Sequence, residues 1–291
     1  MTQIVWTTAT GRCQFSFSAA SSIGSVRAVN EDNFLASPPV FLVADGMGGH
    51  AHGDAASALV VNEFSRRLTG GRPWTAEAVL NGVRAVHGEI GALGSEVAGT
   101  TLSGVVLVTT GATTAEVSES RIDTVEHTAE AIELRYRWMV VNVGDSRVYH
   151  LHGDLPLRQV TIDHSLVQEF VQQGLITASE AQVHPDRNVI TRALGVTEPA
   201  PDVMLLPAVG VNTFVICSDG VSGVVDSDLL ESVLRRIPGN EDAAGEIIRL
   251  AIEQGSRDNV TAIVLRATVS AATDQPGGID GFEHTQPREM A

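Results

Sequence analysis

Four aspartates stand where apolar runs stop or start. Asp45 ends VFLVA, Asp145 follows MVVNVG, Asp219 follows TFVICS, and Asp258 lies just ahead of NVTAIVL. Glu31 and Asp32 add two more acids from an early turn. Strands packed side by side bring their ends into a row, so these carboxylates could meet at one edge of a sandwich. Acids gathered in one cleft repel one another unless cations lie among them. An oxygen-only set without a histidine–cysteine cluster selects hard cations such as Mg2+ or Mn2+ over Zn2+. Carboxylates that bridge two such ions about 3.5–4 Å apart suit in-line hydrolysis at phosphorus, because a bridging water is acidified and both ions neutralise developing charge. An arginine that grips phosphate oxygens bidentately completes such a site, and Arg27 fills that place. Each residue also has a plainer reading. An Asp at a strand end commonly hydrogen-bonds its own backbone in a turn. By the same token Asn30-Glu31-Asp32 reads as a solvated turn, Arg27 as a surface cation, and His50 and His52 as loop residues.

The elements that must position these acids are legible in outline. Residues 40–44 are five apolar residues in a row, the mark of a strand buried on both faces, and the glycines that follow let backbone approach closely. Residues 1–13 read as a lead-in with an early edge strand, and 15–19 as the next strand. Helical spacing predicts helices over 55–68 and 76–90, the second capped by Thr75. From residue 100 the pattern turns β-like, with strands over 100–110 and 134–143 and a hairpin of 148–151 with 155–160 around His152-Gly153-Asp154. The polar stretch 109–131 between the first two is longer than a tight hairpin needs. A helix over 166–173 with Ser165 as its cap, and a short one announced by the capping-box pair Thr177 and Glu180, form a polar segment outside the core. Strands over 203–206, 213–217 and 260–265 and helices over 228–236 and 242–254 complete the chain. Strands in groups and helices in pairs point to an α+β domain over about residues 14–268, largely antiparallel and covered by helices, with a disordered polar tail over 269–291.

Composition narrows the partners. The chain has 291 residues, 43% hydrophobic, with 28 glycines and two tyrosines, as expected of a loop-rich α/β or α+β protein. Nineteen basic against 35 acidic residues leave a net charge of −16, which argues against a broad nucleic-acid or anionic-membrane surface. No apolar run approaches the roughly 20 residues of a membrane span. The start, MTQIVWTTATGRCQF, lacks a basic stretch followed by an apolar core, so no secretory signal is expected. Cys13 and Cys217 lie far apart; Cys217, inside TFVIC, reads as a buried free thiol suited to a reducing cytoplasm. Monomer is the expected state.

The segments carrying these acids resemble the metal-dependent type 2C serine/threonine protein phosphatases in their compact bacterial form. The matching motifs, in order, are GSVRAVNED (24–32), VADGMGGHAHGDAAS (43–57), GTTLSGVVL (99–107), VNVGDSRVY (141–149), CSDGVSGVVD (217–226) and SRDNVTAIV (256–264). TIDHSLVQEFVQQGLI (161–176) and VITRALG (189–195) fit the family's flap, about residues 165–195. The resemblance implies a four-layer α-β-β-α sandwich of two mostly antiparallel sheets with a small helical flap. It matches Asp45 to the carboxylate bridging two catalytic Mn2+ or Mg2+ ions and Gly46 to a carbonyl ligand of the second. Asp219 and Asp258 match the remaining direct ligands of the first ion. Glu31 and Asp32 match acids near the second, and Asp145 matches the acid that, with Asp219, holds a third, weaker ion in bacterial members. Arg27 matches the phosphate-binding arginine. The implied reaction is attack of a metal-bridging hydroxide on phosphoserine and phosphothreonine, without a phosphoenzyme. The implied partners are phosphorylated proteins, namely the substrates of a serine/threonine kinase and the kinase itself.

Two positions depart from the pattern. Met47 stands where animal members carry a histidine thought to protonate the leaving alkoxide, which leaves a bound water or His50 as candidates. Gly223 stands where some relatives carry a further acid. Two other functions compete: a catalytically silent binding module, which the retention of Asp45, Asp219 and Asp258 disfavours, and a phosphatase switching an anti-sigma or anti-anti-sigma partner. The latter usually carries sensor domains, for which this chain has no room.

Overall fold

Alternation along one strand sets the architecture. In β4 (Val40–Met47), Phe41 and Val43 point to one side and Val40, Leu42 and Ala44 to the other, and all five are fully buried. A strand of this kind needs packing partners on both faces. The structure is a computed structural model that describes residues 2–8, 11–48, 52–68, 74–93, 98–110, 136–196, 198–237 and 242–271.

The second sheet contains β4. Its order is β10 (Asp202–Pro207), β7 (Tyr136–Val143), β6 (Leu102–Thr109), β4, β3 (Asp32–Ser37), with the short β5 (Gly99–Thr100) paired to the end of β4. The first sheet runs β1 (Thr2–Thr8), β2 (Gly11–Ser22), β12 (Val260–Ala271), β11 (Gly210–Cys217), β8 (Arg147–His152), β9 (Arg158–Gln159). All these strand pairs are antiparallel.

Aromatic residues fill the gap between the sheets. Phe17 meets Phe41 edge-on at 5.2 Å, and Trp138 meets Phe214 at 5.2 Å and Phe15 at 6.3 Å. On the far side of the second sheet, Val40, Leu42, Val106 and Val141 pack against Val60 and Phe64 of α1 (Gly53–Leu68) and Val83 and Val86 of α2 (Ala76–Gly91). On the far side of the first, Val215, Ala262 and Val264 pack against α6 (Ser227–Arg236) and α7 (Ala243–Glu253) through Leu230, Val233, Ile247 and Ala251. The result is the expected four-layer α-β-β-α sandwich.

Local chemistry fixes the helix starts. Thr75 accepts the Ala78 N–H ahead of α2, and Ser165 accepts the Gln168 N–H ahead of α3 (Leu166–Gln172). Thr177 and Glu180 form the reciprocal capping box of α4 (Ala178–Val183). These two short helices lie in the segment expected to form the flap, and between them they bury only Val167. One more helical turn, α5 (Asp219–Ser222), follows β11.

Three expectations need correction. The early strand is not confined to 15–19 but spans all of β2, because the long β12 supplies hydrogen-bond partners even to its polar Ser21 and Ser22. Asp32 is not in a turn: it opens β3, a strand whose three apolar residues are too few to be seen by periodicity. The hairpin arm expected over 155–160 shortens to β9. The lead-in does hold an edge strand, β1. The polar connection over 109–131 lies outside the described residues from 111 on, and the expected tail does so from 272 on.

Phe41 lies at the centre of the inter-sheet core. Truncation of Phe41 to Ala is expected to cost about 3–5 kcal/mol, the usual range for a fully buried aromatic side chain. Urea unfolding followed by circular dichroism checks this as a lower midpoint at an unchanged slope.

Candidate metal centre

The acids converge because both sheets end at the same place. Asp32 sits directly opposite Asp45 in the β3–β4 ladder. Asp145 lies in the loop that carries the chain from β7 in the second sheet to β8 in the first. Asp219 begins α5 just after β11, and Asp258 immediately precedes Asn259 and β12.

Hydroxyl side chains hold several of the segments that carry the acids. The Asp45 N–H donates to Thr101 Oγ1 at 2.9 Å, and its carbonyl accepts the Thr101 N–H at 2.9 Å and the Thr100 hydroxyl at 2.9 Å. Thr101 Oγ1 also shares a 2.9 Å hydrogen bond with Ser146 Oγ, next to Asp145. Ser103 Oγ donates to the Ser146 carbonyl at 2.7 Å. A chain of hydroxyls therefore spans the second sheet from Asp45 to the Asp145 loop. Ser218, just before Asp219, donates to Asp32 Oδ2 at 2.8 Å and so ties the first sheet to the second.

Backbone packs directly on backbone around Gly46. A Cβ there would fall 2.1 Å from the Gly53 carbonyl oxygen and 2.7 Å from that of Glu31, and the Gly46 N–H donates to Glu31 at 3.2 Å. No other residue fits. Ser57 of α1 donates to the same Glu31 carbonyl at 2.6 Å, which fixes Glu31 against the end of β4. Arg27 reaches in from the exposed loop between β2 and β3 and donates one N–H to Asp258 Oδ2 at 2.7 Å.

The electrostatics follow from this crowding. Burial, then the charges of Asp32, Asp219, Asp145 and Asp258, push the Asp45 carboxyl well above the usual range. Burial, with Asp219 and Asp163 nearby, pushes Asp145 up to about 8. Asp32 rises to about 7 by burial and the proximity of Asp219 and Asp258, against the pull of hydrogen bonds from Ser218 and Thr261. Asp219 is raised by burial and by Asp258, and its carboxyl is within hydrogen-bonding reach of Asp45. Four carboxylate oxygens, Oε1 of Glu31 and Oδ1 of Asp32, Asp145 and Asp219, are buried with no hydrogen-bond partner. Buried oxygens left unpaired are costly, and cations satisfy them.

Among the described residues no group of three or more His, Cys, Asp or Glu side chains is placed to hold a metal ion as it stands. Mg2+ and Mn2+ keep several waters and take few protein carboxylates, so they do not require such a group. The donor set and the orphaned oxygens fit such ions. The fold thus brings the sequence-predicted acids Asp32, Asp45, Asp145 and Asp219 within range of one another's charge despite their repulsion, with Glu31 packed against Gly46 and Gly53 and with Asp258 and Arg27 at the exposed rim. Met47 lies against Gly99, its partner in the β4–β5 pairing, and Gly223 closes α5 by donating its N–H to the Asp219 carbonyl at 2.7 Å. His50 lies outside the described residues. His164 is buried, accepting the Gly144 N–H at Nδ1 (3.1 Å) while Nε2 lies 3.2 Å from Asp202 and from Arg192. It pins the flap to the Asp145 loop.

Spacing alone assigns no role to Thr101, Ser146, Ser218 or Asn259. The signal available was a polar residue beside each acid, in the GTT, GDS, CSD and RDN segments.

A four-layer sandwich with buried acids at the shared end of two sheets is the architecture of the metal-dependent phosphatases. A profile of the protein phosphatase 2C family matches residues 25–249, and the chain belongs to that family. The chain is 34% identical over 255 residues to the serine/threonine protein phosphatase PstP of Mycobacterium tuberculosis, covering 85% of this chain and 44% of that protein. It therefore spans less than half the length of that relative. It is 32% identical over 252 residues to the serine/threonine phosphatase stp of Listeria welshimeri, covering 83% of this chain and 92% of that protein. The solved catalytic domain of PstP in complex with two manganese ions superposes with a TM-score of 0.71 at 32% identity, covering 88% of this chain and 99% of that one.

Acids whose protons are held more tightly in the folded chain than in the unfolded one destabilise the fold as pH rises. For Asp32 and Asp145, raised to about 7 and about 8, that loss sets in above the unfolded carboxylate range near pH 4 and is complete above about pH 8. Metal-stripped protein is expected to melt higher at pH 6 than at pH 8. At pH 8, Mn2+ at 100 times its Kd should add about 2.7 kcal/mol, or roughly 5–10 °C, in a thermal shift measurement.

Proposed function

We propose that this chain is a protein-serine/threonine phosphatase that uses Mn2+ or Mg2+ to hydrolyse phosphoserine and phosphothreonine. The convergence of buried, unpaired carboxylate oxygens beside an arginine carries this reading, and membership of the protein phosphatase 2C family supports it. Asp45 would be shared between two cations. Asp219 and Asp258 would complete the first, and the Gly46 carbonyl, Glu31 and Asp32 would serve the second. Asp145 with Asp219 would hold a third, weaker one. Bound there, such ions supply an acidified water and neutralise charge gathering on the phosphoryl group.

The chain's own groups do the rest. The Arg27 guanidinium donates one N–H to Asp258 and has further N–H donors in the same plane, so it can seat two phosphoryl oxygens while staying anchored. Asp32 and Asp45 face each other across the β3–β4 ladder; Ser218 orients the Asp32 carboxylate, and Thr101 holds the Asp45 backbone in place. Met47 has no transferable proton, so the residue two beyond Asp45 cannot protonate the leaving alkoxide.

The partners follow from the reaction: phosphorylated proteins, among them the substrates of a serine/threonine kinase and the kinase itself. Among the described residues no helix is long and apolar enough to cross a membrane. Two unpaired, buried cysteines suit a reducing compartment, here the cytoplasm, and a monomer accounts for the site without a second copy.

Asp219→Asn is expected to cut Mn2+-dependent hydrolysis of an aryl phosphate by about 100-fold or more, equivalent to about 2.7 kcal/mol. Arg27→Ala should instead raise KM about tenfold with a smaller loss in kcat. Steady-state kinetics with and without Mn2+ check both, and an Asp219→Asn protein as active as the parent would overturn the assignment.

A further inference from the structure

The loop that carries Arg27 has a few bonds of its own, with Asn30 donating to Ser21 Oγ at 2.8 Å and accepting the Asp32 N–H at 3.2 Å, and the Gly24 N–H donating to Ser22 Oγ at 3.3 Å. It runs from Ile23 to Glu31 between β2 and β3, and Val26, Val29 and Arg27 are exposed. Its shape is set from outside, by the side chain of Asn259 at the start of β12. Asn259 is only 4% exposed. Its Oδ1 accepts the Glu31 N–H at 2.9 Å, and its Nδ2 donates to the Ile23 carbonyl at 3.0 Å and the Val29 carbonyl at 2.9 Å. The three partners are backbone groups at the two ends of one loop, and they fix which end of the amide is oxygen. The loop's entry is pressed onto the same place: Gly24 has φ +74°, and a Cβ there would fall 2.1 Å from the Asp258 carbonyl oxygen. Ser25 adds a 2.9 Å bond from its hydroxyl to the Ser256 carbonyl.

We propose that Asn259 is a positioning residue: its amide closes the 23–31 loop and thereby sets where Arg27 and Glu31 stand relative to Asp258. One side chain closes both ends of the loop and is covalently next to Asp258, the acid that Arg27 contacts. That amide supplies three of the bonds that set the register between the arginine and the acids, beside the Ser25–Ser256 bond and the 2.8 Å bond from Asn30 Nδ2 to Ser21 Oγ. The Arg27 part of this inference rests on the assignment of Arg27 to the substrate phosphate.

The test uses the full chain and two readouts. Hydrogen exchange of metal-free protein is expected to show at least tenfold faster exchange over 23–31 in Asn259→Ala, with the protection of β4, β6 and β11 retained. Asn259→Asp keeps the acceptor for the Glu31 N–H and loses both donors, so it should loosen 23–29 while the Glu31 amide stays protected. It serves if the alanine variant does not fold. In Mn2+-dependent kinetics, Asn259→Ala should raise both KM and the inhibition constant of inorganic phosphate about tenfold, with kcat within about threefold of the parent. Combined with Arg27→Ala, it should add little to either constant, because both changes remove the same interaction. Parental exchange over 23–31 in both variants overturns the clamp. Losses that multiply in the double variant overturn its action through Arg27. If Arg27→Ala alone leaves KM and phosphate inhibition unchanged, the assignment of Arg27 falls, while exchange still decides whether Asn259 closes the loop.

Discussion

Buried carboxylates that repel one another are the constraint on which this structure turns. The charges of Asp32, Asp145 and Asp219 raise the proton affinity of Asp45, and that of Asp219 also raises those of Asp32 and Asp145, on top of the cost of their burial. Left alone, such a cluster would relax by turning side chains outward or by spreading the strand ends. It is kept together by the packing behind it. Trp138, Phe214, Phe41 and Phe17 interlock between the sheets, and helices cover both outer faces. The hydrophobic core works against the electrostatics of the site, and cations are what reconcile the two.

The acids do not belong to one sheet. Asp32 and Asp45 come from the second, Asp219 and Asp258 from the first, and Asp145 from the loop that crosses between them. Rigidity across the gap must therefore be supplied locally, and small hydroxyl side chains supply it. Ser218 ties one sheet's end to Asp32 in the other, while Thr101, Ser146 and Ser103 join Asp45 to the crossing loop. Hydroxyls suit this task because each both donates and accepts without adding charge to a crowded anionic region. His164 extends the same network outward, so that the flap and the Asp145 loop share one anchor.

Much of this was readable from sequence, for a physical reason. A strand buried on both faces must be continuously apolar, so β4 announces itself, and an acid at its end stands out against that background. Helix caps are equally local: Thr75, Ser165 and the Thr177–Glu180 pair needed no knowledge of the fold. What stayed hidden depended on partners distant in the chain. β3 is short and weakly apolar and exists because β4 lies beside it, which is why Asp32 looked like a turn residue rather than one facing Asp45. The polar half of β2 is a strand because of β12, some 240 positions away. Thr101 and Asn259 were unreadable in a similar way. A threonine or asparagine at a strand start has many ordinary uses, and only the fold shows that these two meet the backbone around the acids.

The direction in which β6 and β7 run has a consequence for how the chain can change. β6 leaves the acids at Thr101 and ends at Thr109, and β7 begins at Tyr136 and returns to them at Asp145. The connection between the two strands therefore departs from, and rejoins, the sandwich at the end opposite the acids, roughly 24 Å of strand away. Sequence inserted or removed there alters neither the register of a ladder nor the reach of an acid. Evolution is free to lengthen that end of the molecule, and an engineer can splice a reporter into it, while the opposite end admits almost no change.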